Sequence, residues 1–230
     1  MDFIGKAQAC IGMEADSLRE MASRIGPGFG EAVRLIQESL EGRGKVVIVG
    51  VGKSGNVGHK IAATLNSTGA TSVVLNSQNA LHGDLGLLSD GDVVLALSYS
   101  GETVELLGLL PFLRSFDVKV IALCGKADSS LSRSADVSLD TSVSREACPL
   151  NLAPTSSSTA MMVMGDALAM VLLEARGFSE NDFARYHPGG SLGRALLLKV
   201  GDVMRREDKI PTVPISARVI DAVAEMNRSR

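Results

Sequence analysis

Five short runs of apolar residues, rich in valine, leucine and isoleucine, recur along the chain and constrain its fold more than any other feature. They occupy residues 45–50, 72–75, 92–97, 118–123 and 136–139. The first run contains VVIVG, which is typical of a strand buried on both faces of a parallel sheet. The segments between the runs, such as 54–67, 103–116 and 129–134, can be helical. This alternation predicts an α/β protein of three layers, in which helices cover both faces of a five-stranded parallel sheet.

Further helical segments flank the predicted sheet. The spacing of apolar residues predicts helices over about 5–24, 30–42, 155–176 and 179–186. After about residue 199 the character of the sequence changes, and an amphipathic segment runs to Arg230. We therefore expect one main domain over 1–199, with its N-terminal helices in residues 1–44, followed by a separate segment over 200–230.

The composition excludes several classes of protein. Aromatic residues make up only 3% of the chain, which argues against a nucleic-acid binder that stacks bases. The formal charge of −3 gives no general attraction to polyanions, so a phosphate group has to be held by local groups. No run of about 20 residues is free of polar side chains, and the N-terminus lacks a secretory signal. We expect a cytoplasmic protein with neither a membrane nor a nucleic-acid partner.

The three cysteines, Cys10, Cys124 and Cys148, lie far apart in the sequence. They form neither a disulfide framework nor a metal-binding pattern, and we expect them to be buried or idle thiols in a reducing compartment.

The loop after the first strand, GVGKSGNVG over 50–58, contains the spacing of a dinucleotide fingerprint. The second strand, however, ends at Leu75 without the acidic residue that such a fold uses for the ribose. Lys53 and Ser54 also match the end of the phosphate-binding loop of nucleoside triphosphatases, but Val47 occupies the position of the first glycine of that motif. Both nucleotide interpretations are therefore disfavoured. A tight glycine turn remains, which presents Lys53 and Ser54 over a helix N-terminus; a solvated lysine on an ordinary loop is the alternative.

The loop after the third strand, SYSGETVE, carries the hydroxyls of Ser98, Ser100 and Thr103 at the start of a predicted helix. Backbone N–H groups and hydroxyls in this arrangement favour an anion site, although a simple helix cap is the alternative. Glu102 and Glu105 are three residues apart, so we expect them to share a helical face.

A third hydroxyl cluster, TSSST over 155–159, includes Ser157 and begins the long predicted helix shortly after Glu146. Here too a capped helix is the alternative interpretation. Of the three histidines, His59 lies on a predicted helix, whereas His82 and His187 lie in loops rich in glycine and proline, where functional residues concentrate. The histidines and cysteines lack the spacing of a metal site.

Taken in order, the motifs GVGKSG, HGDLG, SYSGET, EACPLNLAPTSSSTA and HPGGSLGR resemble those of the SIS-domain arabinose-5-phosphate isomerases over about residues 30–200. The resemblance implies a flavodoxin-like, doubly wound sheet. It also implies interconversion of ribulose 5-phosphate and arabinose 5-phosphate through an enediol, which supplies 3-deoxy-manno-octulosonate for lipopolysaccharide. By this resemblance the catalytic residues are Lys53, Glu105, Glu146 and His187. The implied substrate-binding residues are Ser54, Gly69, Ala70, His82, Ser98, Ser100, Thr103, Ser142, Ser144 and Ser157.

Similar enzymes are tetramers whose active sites combine residues of neighbouring subunits, so His187 or His82 is expected to come from a partner. Full-length members carry a pair of CBS domains, and residues 200–230 match only the opening of the first, so the sequence looks truncated. At Asn76 and Ser77 the family often has a histidine and a proline that take part in metal binding. Because this chain lacks them, we predict catalysis without a metal or another cofactor.

Two alternatives remain open. SIS domains also act as non-catalytic sensors of sugar phosphates, but such regulators usually follow a helix-turn-helix domain. The stretch of roughly 45 residues before the first strand is too short and too acidic for a good one. The second alternative is an isomerase of another phosphosugar, such as a hexulose or heptulose phosphate. The sequence also leaves open which glutamate is the base.

Overall fold

A parallel sheet of five strands forms the centre of the protein. The computed structural model describes residues 1–205 and 210–228. The strands are β1 Val46–Gly50, β2 Ser72–Leu75, β3 Val93–Leu97, β4 Lys119–Cys124 and β5 Val137–Asp140. Their order is β2-β1-β3-β4-β5, and every neighbouring pair is parallel. The predicted five-stranded parallel sheet is confirmed, and each predicted strand agrees with the observed one to within one residue.

Helices cover both faces of this sheet. They are α1 Phe3–Ser23, α2 Pro27–Glu41, α3 Lys53–Ser67, α4 Ser77–Ala80, α5 Val104–Leu107, α6 Leu110–Leu113, α7 Ser130–Ser134, α8 Ser156–Ala175, α9 Glu180–Tyr186, α10 Ser191–Leu197, α11 Val200–Val203 and α12 Val219–Arg228, with a 3₁₀ helix at Asp84–Leu87. Residues 206–209 and 229–230, which belong to the segment expected to be separate, lie outside the described residues.

Two helix predictions were wrong in detail. The single helix expected over 103–116 is two short helices, because Pro111 has no backbone N–H to continue a helical hydrogen-bond pattern and therefore sits near the start of α6. The second N-terminal helix begins at Pro27 rather than near residue 30, since proline is well suited to the first position of a helix.

The sheet separates two apolar cores. Alternate residues of β1 point to opposite sides, with Ile48 in the core under α1, α2, α3 and α8, and Val47 in the core under α4 to α7. The inner strands β1, β3 and β4 are buried on both sides, which explains their continuous apolar runs, whereas the edge strand β5 alternates buried and exposed residues.

Helix α8 is the one helix of residues 1–205 and 210–228 that is long and apolar enough to cross a membrane. Half of it is buried inside the protein, where it packs against α1, α2 and α3. Its Asp166 forms an ion pair with Lys60 of α3. These contacts are those of a core helix, which explains its apolar composition.

The strand order reverses direction between β1 and β3, because the chain continues from β1 outward to β2 and then returns to β3 on the other side. At such a switch point the loops that follow the two strands diverge and leave a crevice at the carboxyl edge of the sheet. The GVGKSG and SYSGET loops flank this crevice.

Candidate active site

The loop between β1 and α3 keeps a helix N-terminus open toward the crevice. Gly50 passes so close to α3 that a Cβ atom on it would lie 2.9 Å from the backbone carbon of Ser54. Gly52 has a φ of 59° and a ψ of −123°, a backbone conformation that glycine adopts without strain. Helix α3 starts at Lys53, and its N-cap residue Gly52 has no side chain to cap it. The first N–H groups of α3 and its positive dipole end are thus free to meet an anion.

A cavity of about 260 Å³ lies beside this helix end. Its walls are formed by Val51, Lys53, Ser54, Val57, Tyr99, Pro154, Ser157, Ser158 and Met161. The loop after β1, the loop after β3 and the start of α8 therefore meet in one place. Of the residues predicted from the sequence, Lys53, Ser54 and Ser157 line this cavity.

Several lining residues were missed by the sequence reasoning. Val57 and Met161 lie one helical turn beyond Ser54 and Ser157, so helical spacing from the predicted residues gave a signal for them. Tyr99 lies between two serines that were singled out, but the argument from hydroxyl donors passed over its aromatic ring.

Hydrogen bonds inside the SYSGET loop engage most of its hydroxyls. Ser98 is buried, and its Oγ lies 2.8 Å from Oγ1 of Thr103 and accepts a hydrogen bond of 3.0 Å from the backbone N–H of Gly101. Ser100 is exposed, and its Oγ accepts from the N–H of Glu102 at 3.2 Å. The three hydroxyls build the loop, and Ser100 is the one that remains open to solvent.

Tyr99 connects this loop to the segment that follows β5. Its hydroxyl accepts a hydrogen bond from the N–H of Val143 at 3.3 Å and lies 3.5 Å from the carbonyl oxygen of the same residue. One face of its ring packs against Gly125, which follows β4. The aromatic side chain therefore fixes one wall of the cavity.

The two acids near the start of α5 have different surroundings, and they do not share a helical face as predicted. Helix α5 begins at Val104, so Glu102 precedes it. The carboxylate of Glu102 accepts a hydrogen bond of 2.7 Å from the N–H of Ser130, and this backbone bond is the main cause that lowers its pKa. Glu105 is exposed and makes no hydrogen bond or ion pair with any other described residue. Of the two, Glu105 is the acid available to a ligand.

Glu146 occupies the N-terminus of α8. Its Oε2 accepts hydrogen bonds from the N–H of Thr155 at 2.8 Å, from Oγ1 of Thr155 at 3.1 Å and from the N–H of Ser157 at 3.2 Å. A carboxylate of the protein itself thus occupies the helix N-terminus at the TSSST cluster.

The hydrogen bonds to Glu146 decide its ionisation. Partial burial alone would raise the pKa of this carboxyl, but the bonds from the Ser157 side chain and from the backbone of Thr155 and Ser157 outweigh burial, and the pKa is lowered. The positive end of the α8 dipole favours the same charge state. Glu146 is a fixed anion at neutral pH.

His187, Gly69 and Ala70 lie away from the Lys53 cavity. Helix α3 has 15 residues and separates Lys53 at its start from Gly69 beyond its end by about 22 Å. The rings of Phe178 and Tyr186 pack over Gly69 at the amino edge of the sheet, and Ala70 is buried in the core. One chain therefore does not bring these three residues to the cavity.

The imidazole of His187 is held in a defined orientation. Its ring stacks on Phe183 with centroids 3.9 Å apart, and its Nδ1 lies 2.9 Å from the carbonyl oxygen of Phe183. Because a carbonyl oxygen only accepts, Nδ1 carries the proton in this contact, and Nε2 remains open for proton exchange with a ligand.

The remaining predicted residues lie in loops at the carboxyl edge. His82 is exposed just after α4, which packs against the helix that bears Glu105. Ser142 is tied to the end of α1, since its Oγ and carbonyl oxygen accept from Nη2 of Arg24 at 3.1 and 2.5 Å. Ser144 is exposed, and Asn76 caps α4 through its side-chain oxygen.

Two of the three thiols have opposite properties. Cys124 is buried and its burial raises the pKa of the thiol, whereas backbone N–H groups, first that of Ala153, lower the pKa of Cys148. Within the described ranges, no group of three or more His, Cys, Asp or Glu side chains is arranged to hold a metal ion.

Comparison with known proteins identifies the family to which the chain belongs. The sequence profile of the SIS domain matches residues 39–171, more than half of the chain, and the chain therefore belongs to the SIS-domain family.

Closer relatives narrow the class to the arabinose 5-phosphate isomerases. The chain is 51% identical over 228 residues to arabinose 5-phosphate isomerase KdsD of Pseudomonas aeruginosa, with 99% of this chain and 69% of the relative covered. It is 47% identical over 227 residues to KdsD of Escherichia coli K12, with 99% and 68% covered. The chain thus spans about two thirds of the length of these curated relatives.

A solved structure supports the same grouping. The structure of c3406 of E. coli CFT073, in complex with arabinose 5-phosphate, superimposes with a TM-score of 0.77 at 39% identity, covering 81% of this chain and 98% of that one.

Proposed function

We propose that this protein is an aldose-ketose isomerase that interconverts D-ribulose 5-phosphate and D-arabinose 5-phosphate. The single observation that carries the proposal is the identity of about half of all residues, over 99% of the chain, to curated arabinose 5-phosphate isomerases. The cavity at the switch point supplies what such a substrate needs, namely an open helix N-terminus, a lysine and hydroxyl groups.

The phosphate is best held at the N-terminus of α3. Lys53 and Ser54 line the cavity, and the first turn of α3 has no side-chain cap, so a lysine, a hydroxyl and uncapped N–H groups are available there for a phosphate. The N-terminus of α8 is a poorer choice, because a second anion there would be repelled by Glu146. Ser100 is the hydroxyl of the SYSGET loop that remains to extend this cradle.

The reaction moves a proton between C1 and C2 through an enediol, and the two acids fit different parts of it. The lowered pKa of Glu146 makes it a weak base but a steady hydrogen-bond acceptor that can orient a sugar hydroxyl. Glu105 has no competing partner, so we assign the removal of the carbon-bound proton to Glu105. Lys53, at the cavity wall, stabilises the negative charge that develops on the enediolate oxygen.

His187 is assigned to proton exchange with sugar oxygens and to opening of the furanose ring, through its open Nε2. Since His187 lies at the amino edge of its own sheet, we propose that it enters the cavity of a neighbouring subunit in a homotetramer. Gly69, which is partly exposed at the same edge, would approach the sugar in the same way.

This sharing predicts complementation. Lys53→Met and His187→Ala homo-oligomers should each be inactive, and mixing the two with subunit exchange should restore part of the activity, because some hybrid sites contain both native residues. Mixtures that stay inactive after verified exchange would contradict a shared site.

The wider role follows from the same family. We propose that the product supplies the synthesis of 3-deoxy-manno-octulosonate for lipopolysaccharide, and that the enzyme works in the cytoplasm without a metal or another cofactor. We further propose that residues 1–199 form the SIS domain and that residues 200–230 begin a CBS domain.

A panel of ketose phosphates with five, six and seven carbons tests the substrate. Ribulose 5-phosphate should give the highest kcat/KM. Faster turnover of a six- or seven-carbon ketose would make this an isomerase of another phosphosugar. Calorimetric binding without turnover of any of them would make it a sensor.

A further inference from the structure

Thr155 makes more hydrogen bonds around the proposed site than any of the residues assigned to chemistry. Its Oγ1 accepts from the N–H of Ala147 at 2.9 Å and from the N–H of Cys148 at 3.3 Å. The same hydroxyl donates to Oε2 of Glu146 at 3.1 Å, and the backbone N–H of Thr155 donates to that oxygen at 2.8 Å. The hydroxyl therefore uses its one proton and both lone pairs.

These bonds clamp the carboxylate from two directions. The N–H groups of Ala147 and Cys148 directly follow Glu146 in the chain, so Thr155 fixes the backbone that carries the carboxylate as well as its Oε2. Both bonds from Thr155 and the bond from the N–H of Ser157 go to Oε2, so we assign Oε1 to a substrate hydroxyl.

We propose that Thr155 is a positioning residue for the isomerase, acting through Glu146: its hydroxyl and its backbone N–H together fix the carboxylate rotamer. The proposal rests on the proposed function for its kinetic part only. Thr155 itself does not line the cavity, and we assign it no contact with the sugar.

The hydroxyl can be removed with little change in shape by Thr155→Val. We expect kcat to fall about tenfold or more, because a hydrogen bond to a charged group and the orientation it maintains are lost together. The acidic limb of the pH profile of kcat/KM should move to higher pH, since the removed bond favours the charged form of Glu146. Thr155→Ser keeps the hydroxyl, so kcat should be within about twofold of the wild-type value. The acidic limb should return to its wild-type position.

Thr159→Val is a matched control on the same helix. The hydroxyl of Thr159 also donates to a carboxylate, that of Glu14 at 2.9 Å, one turn further along α8. We expect its pH profile to coincide with that of the wild type. A shift equal to that of Thr155→Val would show a general effect of weakening α8 and would overturn the proposal.

A second measurement does not depend on turnover. The Glu146 carboxyl carbon is followed by NMR in protein labelled at glutamate, with the signal assigned by its loss in Glu146→Gln. The midpoint of its pH titration should be higher in Thr155→Val than in the wild type. Thr155→Ala provides the same comparison if the valine variant does not fold. An unchanged midpoint overturns the proposal, whereas a shifted midpoint in a protein without isomerase activity supports the clamp and rejects the proposed function.

Discussion

The N-termini of α3 and α8 meet at one cavity, yet they have opposite uses. Both carry a serine in their first turn, Ser54 in α3 and Ser157 in α8, and both carry the partial positive charge of a helix dipole. At α8 the carboxylate of Glu146 takes the N–H groups of Thr155 and Ser157, whereas at α3 the N-cap residue Gly52 has no side chain to take them. A sequence pattern typical of an anion cradle therefore gives a ligand site only when no side chain of the protein already occupies it.

The largest effect should follow from removing the charge at the open helix end. Lys53→Met should lower kcat by about 10²-fold or more, because a cation aimed at the developing enediolate is lost. Lys60→Met is the matched control, since Lys60 lies two turns further along α3 and pairs with Asp166 outside the cavity. Steady-state kinetics of both variants decide the point. Equal losses would mean that α3 itself, and not the site, was damaged.

Glu146→Gln tests, through the free energy of unfolding, whether the Glu146 carboxylate caps α8. A carboxylate that caps a helix and is partly exposed should contribute about 1 kcal/mol to the free energy of unfolding. Because its pKa is lowered by folding, this contribution is present above the unfolded value of about 4.5 and is lost as the pH falls through the folded value. Urea unfolding at pH 7 and near pH 4 should show a larger deficit of the variant at pH 7. A deficit that does not depend on pH would contradict the capping role.

Two serine variants compare the N-termini of α3 and α8 as binding sites for the phosphate. Ser54→Ala should raise KM by roughly 2- to 10-fold, which is the change expected when one neutral hydrogen bond to the substrate is lost. The hydroxyl of Ser158 already donates to the carbonyl oxygen of Thr155 at 2.9 Å, so Ser158→Ala should change KM by less than about twofold. A reversed order would place the phosphate at α8 instead of α3.

The smallest effect concerns the loop that leads to α8. Because backbone N–H groups lower the pKa of Cys148 while burial raises that of Cys124, iodoacetamide at pH 7.5 should modify Cys148 well before Cys124. Peptide mass spectrometry at early times measures the ratio. Modification of Cys124 first would contradict the accessibility and ionisation described for the two thiols.

The sequence predicted the sheet and the loops of the site because both depend on local patterns. Buried parallel strands are continuously apolar, and loops that follow them meet at one edge, so Lys53, Ser54 and Ser157 were found together. The role of Glu146 as a cap depends on bonds to residues nine and eleven positions away, which no local pattern shows. For the same reason Glu102 was grouped with Glu105, although its carboxylate binds the start of α7.

The position of His187 illustrates a different limit. Its motif identified it, and the structure shows how Phe183 orients its ring, but the distance from Lys53 follows only from the path of the chain along α3 and α8. The role proposed for His187 therefore requires that a neighbouring subunit bring it to the cavity.

Solvent exchange during turnover tests whether the protein is an isomerase that works through an enediol. The purified protein is incubated with ribulose 5-phosphate in deuterium oxide, and any arabinose 5-phosphate formed is analysed by NMR for deuterium at C2. The isomerase assignment predicts product that carries solvent deuterium at C2, because a carboxylate base exchanges the proton it removes. Product without deuterium would contradict a base open to solvent, and the absence of any product would contradict the assignment itself.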